Sequence, residues 1–136
     1  MTSAGGETPT AAIRRLVGVY NANGSLAGEL AYFVGARLGR AHCALCDITH
    51  GLAREKSEWK TCRSGLAVPF DTYHLNDQPP TVRTAADGNA PVVLAETDSA
   101  IVVLLGPSEL DACRGSVERL ADAITAAVDA RALRWP

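Results

Sequence analysis

The sequence predicts an α/β domain: a small mixed sheet of about four strands covered by helices, with a Cys/His segment inserted after the first helix. Three observations lead there. Short apolar runs bounded by turn residues stand at 16–21, 91–95 and 100–105. Stretches with apolar residues at helical spacing alternate with them. Between the first helix and the next strand lies His42-Cys43-Ala44-Leu45-Cys46-Asp47-Ile48-Thr49-His50, the densest collection of potential metal ligands and redox groups in the chain.

Taken in order, residues 1–12 form a small, polar, aperiodic segment and read as a flexible tail, leaving 13–136 as a single domain. Leu16-Val17-Gly18-Val19-Tyr20-Asn21 reads as a buried strand. A turn at Asn21-Ala22-Asn23-Gly24 leads to Ser25, a helix cap. Leu26, Leu30, Phe33, Val34 and Leu38 then make an apolar stripe interrupted only by Arg37, and Gly39 stops it. The 42–50 stretch allows one or two helical turns. Residues 57–63, with Trp59 and Cys62, read as a short helix capped by Ser57.

Residues 68–75 read as a strand with Pro69 near its start and His74 within it, and 76–90 as a loop carrying Pro79-Pro80 and Asp87-Gly88. Residues 91–95 and 100–105 are close enough to form an antiparallel hairpin. A long helix opens at Gly106-Pro107-Ser108, with Ser108 and Asp111 in a helix-start pattern. Leu110, Cys113, Val117, Leu120, Ala121, Ile124 and Val128 make its apolar face, which places Cys113 in the core.

Bulk properties narrow the function. A chain of 136 residues with 47% hydrophobic and 21% charged residues fits one ordinary globular domain. Net charge of −2 argues against a broad nucleic-acid surface, although Arg37, Arg40 and Arg54 flank the central stretch. No apolar run reaches the roughly 18–20 residues that span a bilayer, and no signal peptide is visible. The expected location is therefore the cytoplasm, where four cysteines suggest metal or redox work more than a disulfide framework.

Asn89-Ala90-Pro91-Val92-Val93-Leu94, followed by Ile101-Val102-Val103, Gly106 and the last helix, resembles the thioredoxin-like superfamily over most of residues 16–130. The resemblance implies a cis-proline at the start of the third main strand, where Pro91 stands. It also implies a Cys-x-x-Cys directly after the first strand. Here that position holds Asn21-Ala22-Asn23-Gly24, and the dithiol comes after the following helix. The family's middle helix is reduced to the loop-like 76–90.

The central stretch supports two chemistries. If helical throughout, it places Cys43, Cys46 and His50 on one face, a thiolate–imidazole set suited to a transition metal, zinc above all. Cys62 is the favoured fourth ligand, with Asp47, His42 and His74 as alternatives. The redox reading makes Cys43 the nucleophile, with thiolate favoured by a helix start and by His42 if protonated, and Cys46 the resolving thiol. Asp47 opposes that ionisation. A third reading leaves the cysteines as buried hydrophobes in an interaction module.

Asn21–Ser25 can also hold an anion on backbone N–H groups, though as an ordinary capped turn it needs no ligand. Glu29 and Tyr32 can approach a cleft, and Trp59 is expected to pack the insertion onto the sheet. No Gly-x-Ser-x-Gly motif is present. The expected function is thus a small metal-binding protein, with thiol–disulfide exchange or partner binding as alternatives. A protein or thiol substrate would be the partner, and the chain a monomer or homodimer.

Overall fold

The computed structural model describes residues 11–21, 43–50 and 55–136. They form a mixed α/β structure built on a four-stranded sheet. Its elements in chain order are β1 (Ala11–Ala12), β2 (Arg15–Val19), α1 (Ala44–Thr49), α2 (Ser57–Ser64), β3 (Phe70–Tyr73), α3 (Pro80–Ala86), β4 (Val92–Glu96), β5 (Ile101–Leu105), α4 (Pro107–Ala112), α5 (Val117–Ala130) and β6 (Leu133–Arg134). The expected helix over residues 26–38, its Ser25 cap, and His42, Arg37, Arg40 and Arg54 lie outside the described residues.

The sheet runs β3-β2-β4-β5. β2 pairs parallel with β3, Leu16 opposite Phe70 and Val19 opposite Tyr73, and antiparallel with β4, Val19 opposite Val92. A strand with neighbours on both sides and covered faces reads as a continuous apolar run, and Leu16, Val17 and Val19 are all fully buried. The β4–β5 pair is the antiparallel hairpin that its short connection predicted. Thr97 closes its turn, accepting the Ser99 and Ala100 N–H groups on its hydroxyl. The Ala90–Pro91 peptide is cis. Arg15 ties three strands together, bonding Glu96 of β4 and, at 3.1 Å each, Asp71 and Tyr73 of β3.

Alternation along the strands divides the core. Leu16, Tyr20, Phe70, Val93 and Ala95 face α1, α2, α4 and α5. Val17, Val19, Val92 and Leu94 face Val82 and Ala86 of α3. Trp59 of α2 is fully buried and meets the Phe70 ring edge-on at 4.9 Å, which packs α2 against the sheet as expected.

Five sequence expectations change. Residues 80–86, read as loop, form α3: Pro80 starts the helix, Val82 and Ala86 share its buried face, and left-handed Asp87 ends it. The long last helix is two, because Arg114 and Gly115 both take positive φ between α4 and α5. The acid closing the start of α4 is Glu109, which accepts the Gly106 N–H at 2.6 Å, rather than Asp111. Ser57 is the first residue of α2, whose cap is Lys56. Ala11 and Ala12, read as tail, pair in parallel with Leu133 and Arg134. Among the described residues no helix is long and apolar enough to cross a membrane.

Gly18 has no room for a side chain. A Cβ there would stand 2.9 Å from Phe70 Cε1 and 3.0 Å from Leu45 Cδ2, inside contact distance of two core side chains. Gly18→Ala should therefore destabilise the fold by about 1–3 kcal/mol through overpacking. The urea unfolding midpoint measures this; an unchanged midpoint would mean that α1 does not rest on β2 at this point.

Candidate functional site: the Cys43–Cys46 dithiol

The site starts from the local logic of α1. Cys43 takes extended backbone angles and serves as the helix N-cap, its sulfur standing where serine or aspartate oxygen usually stands. Its Sγ accepts the N–H of Cys46, three residues on, at 3.3 Å. It also accepts the N–H of Asn21 at 3.4 Å. Asn21 lies just beyond β2, so the cap of α1 is bound directly to the end of the central strand. The dithiol, 22 residues further along the chain, returns in space to the C-terminal end of β2. Pro91 belongs to the same end of the sheet, since the Val19–Val92 pair places it opposite Tyr20.

Those contacts set the two thiols apart. The Cys46 thiol bonds the Cys43 sulfur and, more than any other contact, lowers the Cys43 pKa below the ordinary thiol value. Burial opposes this. The Asn21 and Cys46 N–H groups reinforce it, and the Asp47 charge opposes it, as the sequence suggested. Cys46 is driven the other way, first by its bond to Cys43, then by burial and by the neighbouring charge. Of the two thiols, Cys43 is the one that gives up its proton more readily. Cys43 is fully buried and Cys46 is 9% exposed.

Tyr20 binds the other end of α1. Its hydroxyl lies 3.0 Å from Thr49 Oγ1, and its ring packs against His50, edge-on at 5.7 Å, and His74, at 5.4 Å. Thr49 Oγ1 in turn lies 2.7 Å from His50 Nδ1 and 3.2 Å from the Leu45 carbonyl. Burial raises the Tyr20 pKa far above the usual phenol value, partly relieved by Thr49 and reinforced by charge on Cys46, Glu55 and Cys43. A cleft of about 290 Å³, lined by Ala44, Asp47, Leu110, Asp111, Arg114 and Gly115, runs along α1.

The expected shared face of Cys43, Cys46 and His50 does not form. The helix is only six residues long, and both Cys43 and His50 are extended residues at its ends. Cys62 lies half-buried on α2, its thiol pKa raised by burial and by Glu58. His74 stands one residue past β3 rather than within a strand, its N–H bonded to Asp77 Oδ1 at 2.5 Å. Among the described residues, no three His, Cys, Asp or Glu side chains gather as a metal-binding group. Cys113 is a core residue as expected, its thiol donating to the Glu109 carbonyl.

Sequence reasoning missed Tyr20, Thr49 and the Asn21 N–H. The signal available for Tyr20 was its place as the last apolar residue of the β2 run, immediately before the turn.

Replacing Cys46 by alanine removes the thiol that bonds the Cys43 sulfur, so the Cys43 pKa should move upward, toward the ordinary value near 8.5. Because Cys43 loses its proton more readily when folded, its stabilising contribution is complete above that ordinary value and fades as pH falls through the folded one. Thiolate ultraviolet absorbance against pH reads the shift; an unmoved Cys43 titration in Cys46→Ala would contradict the paired arrangement. Comparison with protein-family models, curated proteins and solved structures found no match to this chain, so its chemistry is read from the geometry of this site.

Proposed function

We propose that the chain is a thiol–disulfide oxidoreductase of thioredoxin-like architecture, with Cys43 as nucleophile and Cys46 as resolving thiol. The observation that carries the reading is the convergence of two backbone N–H groups, from Asn21 and Cys46, on the Cys43 sulfur, with the Cys46 thiol also lowering its pKa. A purely packed cysteine needs none of them, and together they favour the nucleophilic thiolate. Support for the architecture comes from the strand order β3-β2-β4-β5, with β3 parallel and β4 antiparallel to β2, and from helices on both faces. The dithiol beside the end of β2 adds to it.

In the forward direction the Cys43 thiolate attacks one sulfur of a substrate disulfide, RS–SR. A Cys43–S–SR bond forms and RS⁻ leaves. Cys46 then loses its proton and attacks the Cys43 sulfur, forming the Cys43–Cys46 disulfide and releasing the second RS⁻. The substrate is reduced and the dithiol oxidised by the same two electrons. A second dithiol compound restores the site by the reverse sequence. Burial of both sulfurs makes opening of the site part of each turnover.

Zinc binding uses the same pair of sulfurs and is separated from exchange by one set of measurements. On exposure to a small disulfide, Cys46→Ser should accumulate a stable adduct at Cys43, seen by intact mass, whereas Cys43→Ser should neither form it nor exchange disulfides. Exchange by Cys43→Ser at the wild-type rate would remove the proposal. About one zinc per chain in reduced protein, with both thiols protected from alkylation, would replace it with a metal site.

A further inference from the structure

One of the contacts that hold α1 against β2 passes through an atom that oxidation changes. α1 is six residues long and is fixed at both ends. At its start the Asn21 N–H, just beyond β2, donates to the Cys43 sulfur at 3.4 Å. At its end the Tyr20 hydroxyl lies 3.0 Å from Thr49 Oγ1. Between them Leu45 lies over Gly18, its Cδ2 3.0 Å from the place a Cβ would take.

Disulfide formation acts on the first anchor and leaves the second untouched. Both sulfurs are free in the reduced chain. A disulfide brings them to about 2.05 Å, which draws the Cys43 sulfur toward Cys46 in the same short segment. The Asn21 N–H belongs to the end of β2 and does not follow. A sulfur within a disulfide also carries no charge. A hydrogen bond to a charged acceptor is roughly twice as strong as one to a neutral acceptor, and neutral sulfur accepts weakly. Asn21 is exposed, so its N–H turns to water once released. Tyr20 and Thr49 carry no group that thiol exchange alters.

We propose that the Asn21–Cys43 contact is a redox-operated latch: reduction holds the start of α1 on the end of β2, and oxidation frees it while the Tyr20–Thr49 end stays anchored. The proposal rests on the dithiol reading above. The oxidant is a substrate disulfide, RS–SR. Its S–S bond breaks, the Cys43–Cys46 bond forms, and the two thiol protons pass to the departing RS⁻ groups or to solvent. Freed at its start, α1 turns about its Thr49 end and uncovers Cys43, which is fully buried in the reduced chain. The oxidised site is the more open one, so the dithiol that restores it meets an accessible sulfur. Because the latch stabilises the reduced form, it also makes the pair more oxidising.

Backbone amide hydrogen exchange of the full chain, reduced and then oxidised with a small disulfide, reads the latch residue by residue. The Asn21 N–H bonds the Cys43 sulfur, and the Asp47 N–H bonds the Cys43 carbonyl at 3.0 Å. Both should exchange about tenfold faster after oxidation, the scale of a lost helix cap. His50, whose N–H bonds the Cys46 carbonyl at 2.9 Å at the far end, should be unchanged. Asn21→Pro removes the donor, so its reduced form should exchange at Asp47 as the oxidised wild type does. A tenfold preference equals about 30 mV for two electrons, and this variant's reduction potential should be lower by that much against a dithiothreitol redox buffer. Cys43→Ser keeps a capping oxygen and cannot form the disulfide, so Asp47 should stay protected with or without oxidant. If Asn21→Pro does not fold, the two states of the wild-type chain still decide the matter. Equal protection of Asn21 and Asp47 in both states, or an equal loss at His50, would overturn the latch. A chain that forms no Cys43–Cys46 disulfide would instead overturn the dithiol reading, and the latch with it.

Discussion

The contact of α1 with β2 at Gly18 is the constraint on which the site depends. A strand residue without a side chain lets Leu45 and Phe70 close over the sheet, and α1 then lies against the central strand. Once it does, Asn21 meets the Cys43 sulfur at one end of the helix and Tyr20 meets Thr49 at the other. The two contacts fix both ends of a helix too short to be stable alone. The position of the dithiol is therefore a consequence of core packing and not of its own short segment.

The same packing decides which sulfur ionises more readily. Two thiols in one apolar setting would both resist deprotonation, because burial penalises the charged form. Cys43 is favoured because two backbone N–H groups donate to its sulfur and the Cys46 thiol lowers its pKa, while Cys46 is pushed the other way. Asp47, next to Cys46 and exposed, works against the thiolate but does not outweigh the hydrogen bonds. The asymmetry between the two thiols thus comes from hydrogen-bond direction.

Much of the fold was legible in the residues. The apolar run around Val17 marks a strand covered on both faces, and the spacing between residues 96 and 101 marks a hairpin. Leu110, Leu120, Ile124 and Val128 mark buried helix faces, and all are buried. The errors fell where local backbone chemistry outweighed periodicity. Pro79-Pro80 suggested a loop, yet proline at a helix start is favourable and Val82 with Ala86 supplied the buried face. The apolar stripe through Cys113 and Val117 ran across a break, because residues on either side of a left-handed turn can still point into one core.

By itself, the sequence determined that this is a mixed α/β chain with four cysteines, two of them three residues apart beside a histidine. It also offered Cys43 as a place where a short helix could begin, and the structure makes that residue the cap. Only the tertiary structure decided what that cysteine meets. Its Asn21 partner is 22 residues away in sequence, and Tyr20 and Thr49 are 29 apart. Spacing alone put His50 on the cysteines' face; the fold ended the helix and turned the histidine ring onto Tyr20. Helical periodicity predicts a shared face only while the helix continues, and how far α1 continues is set by the sheet it packs against.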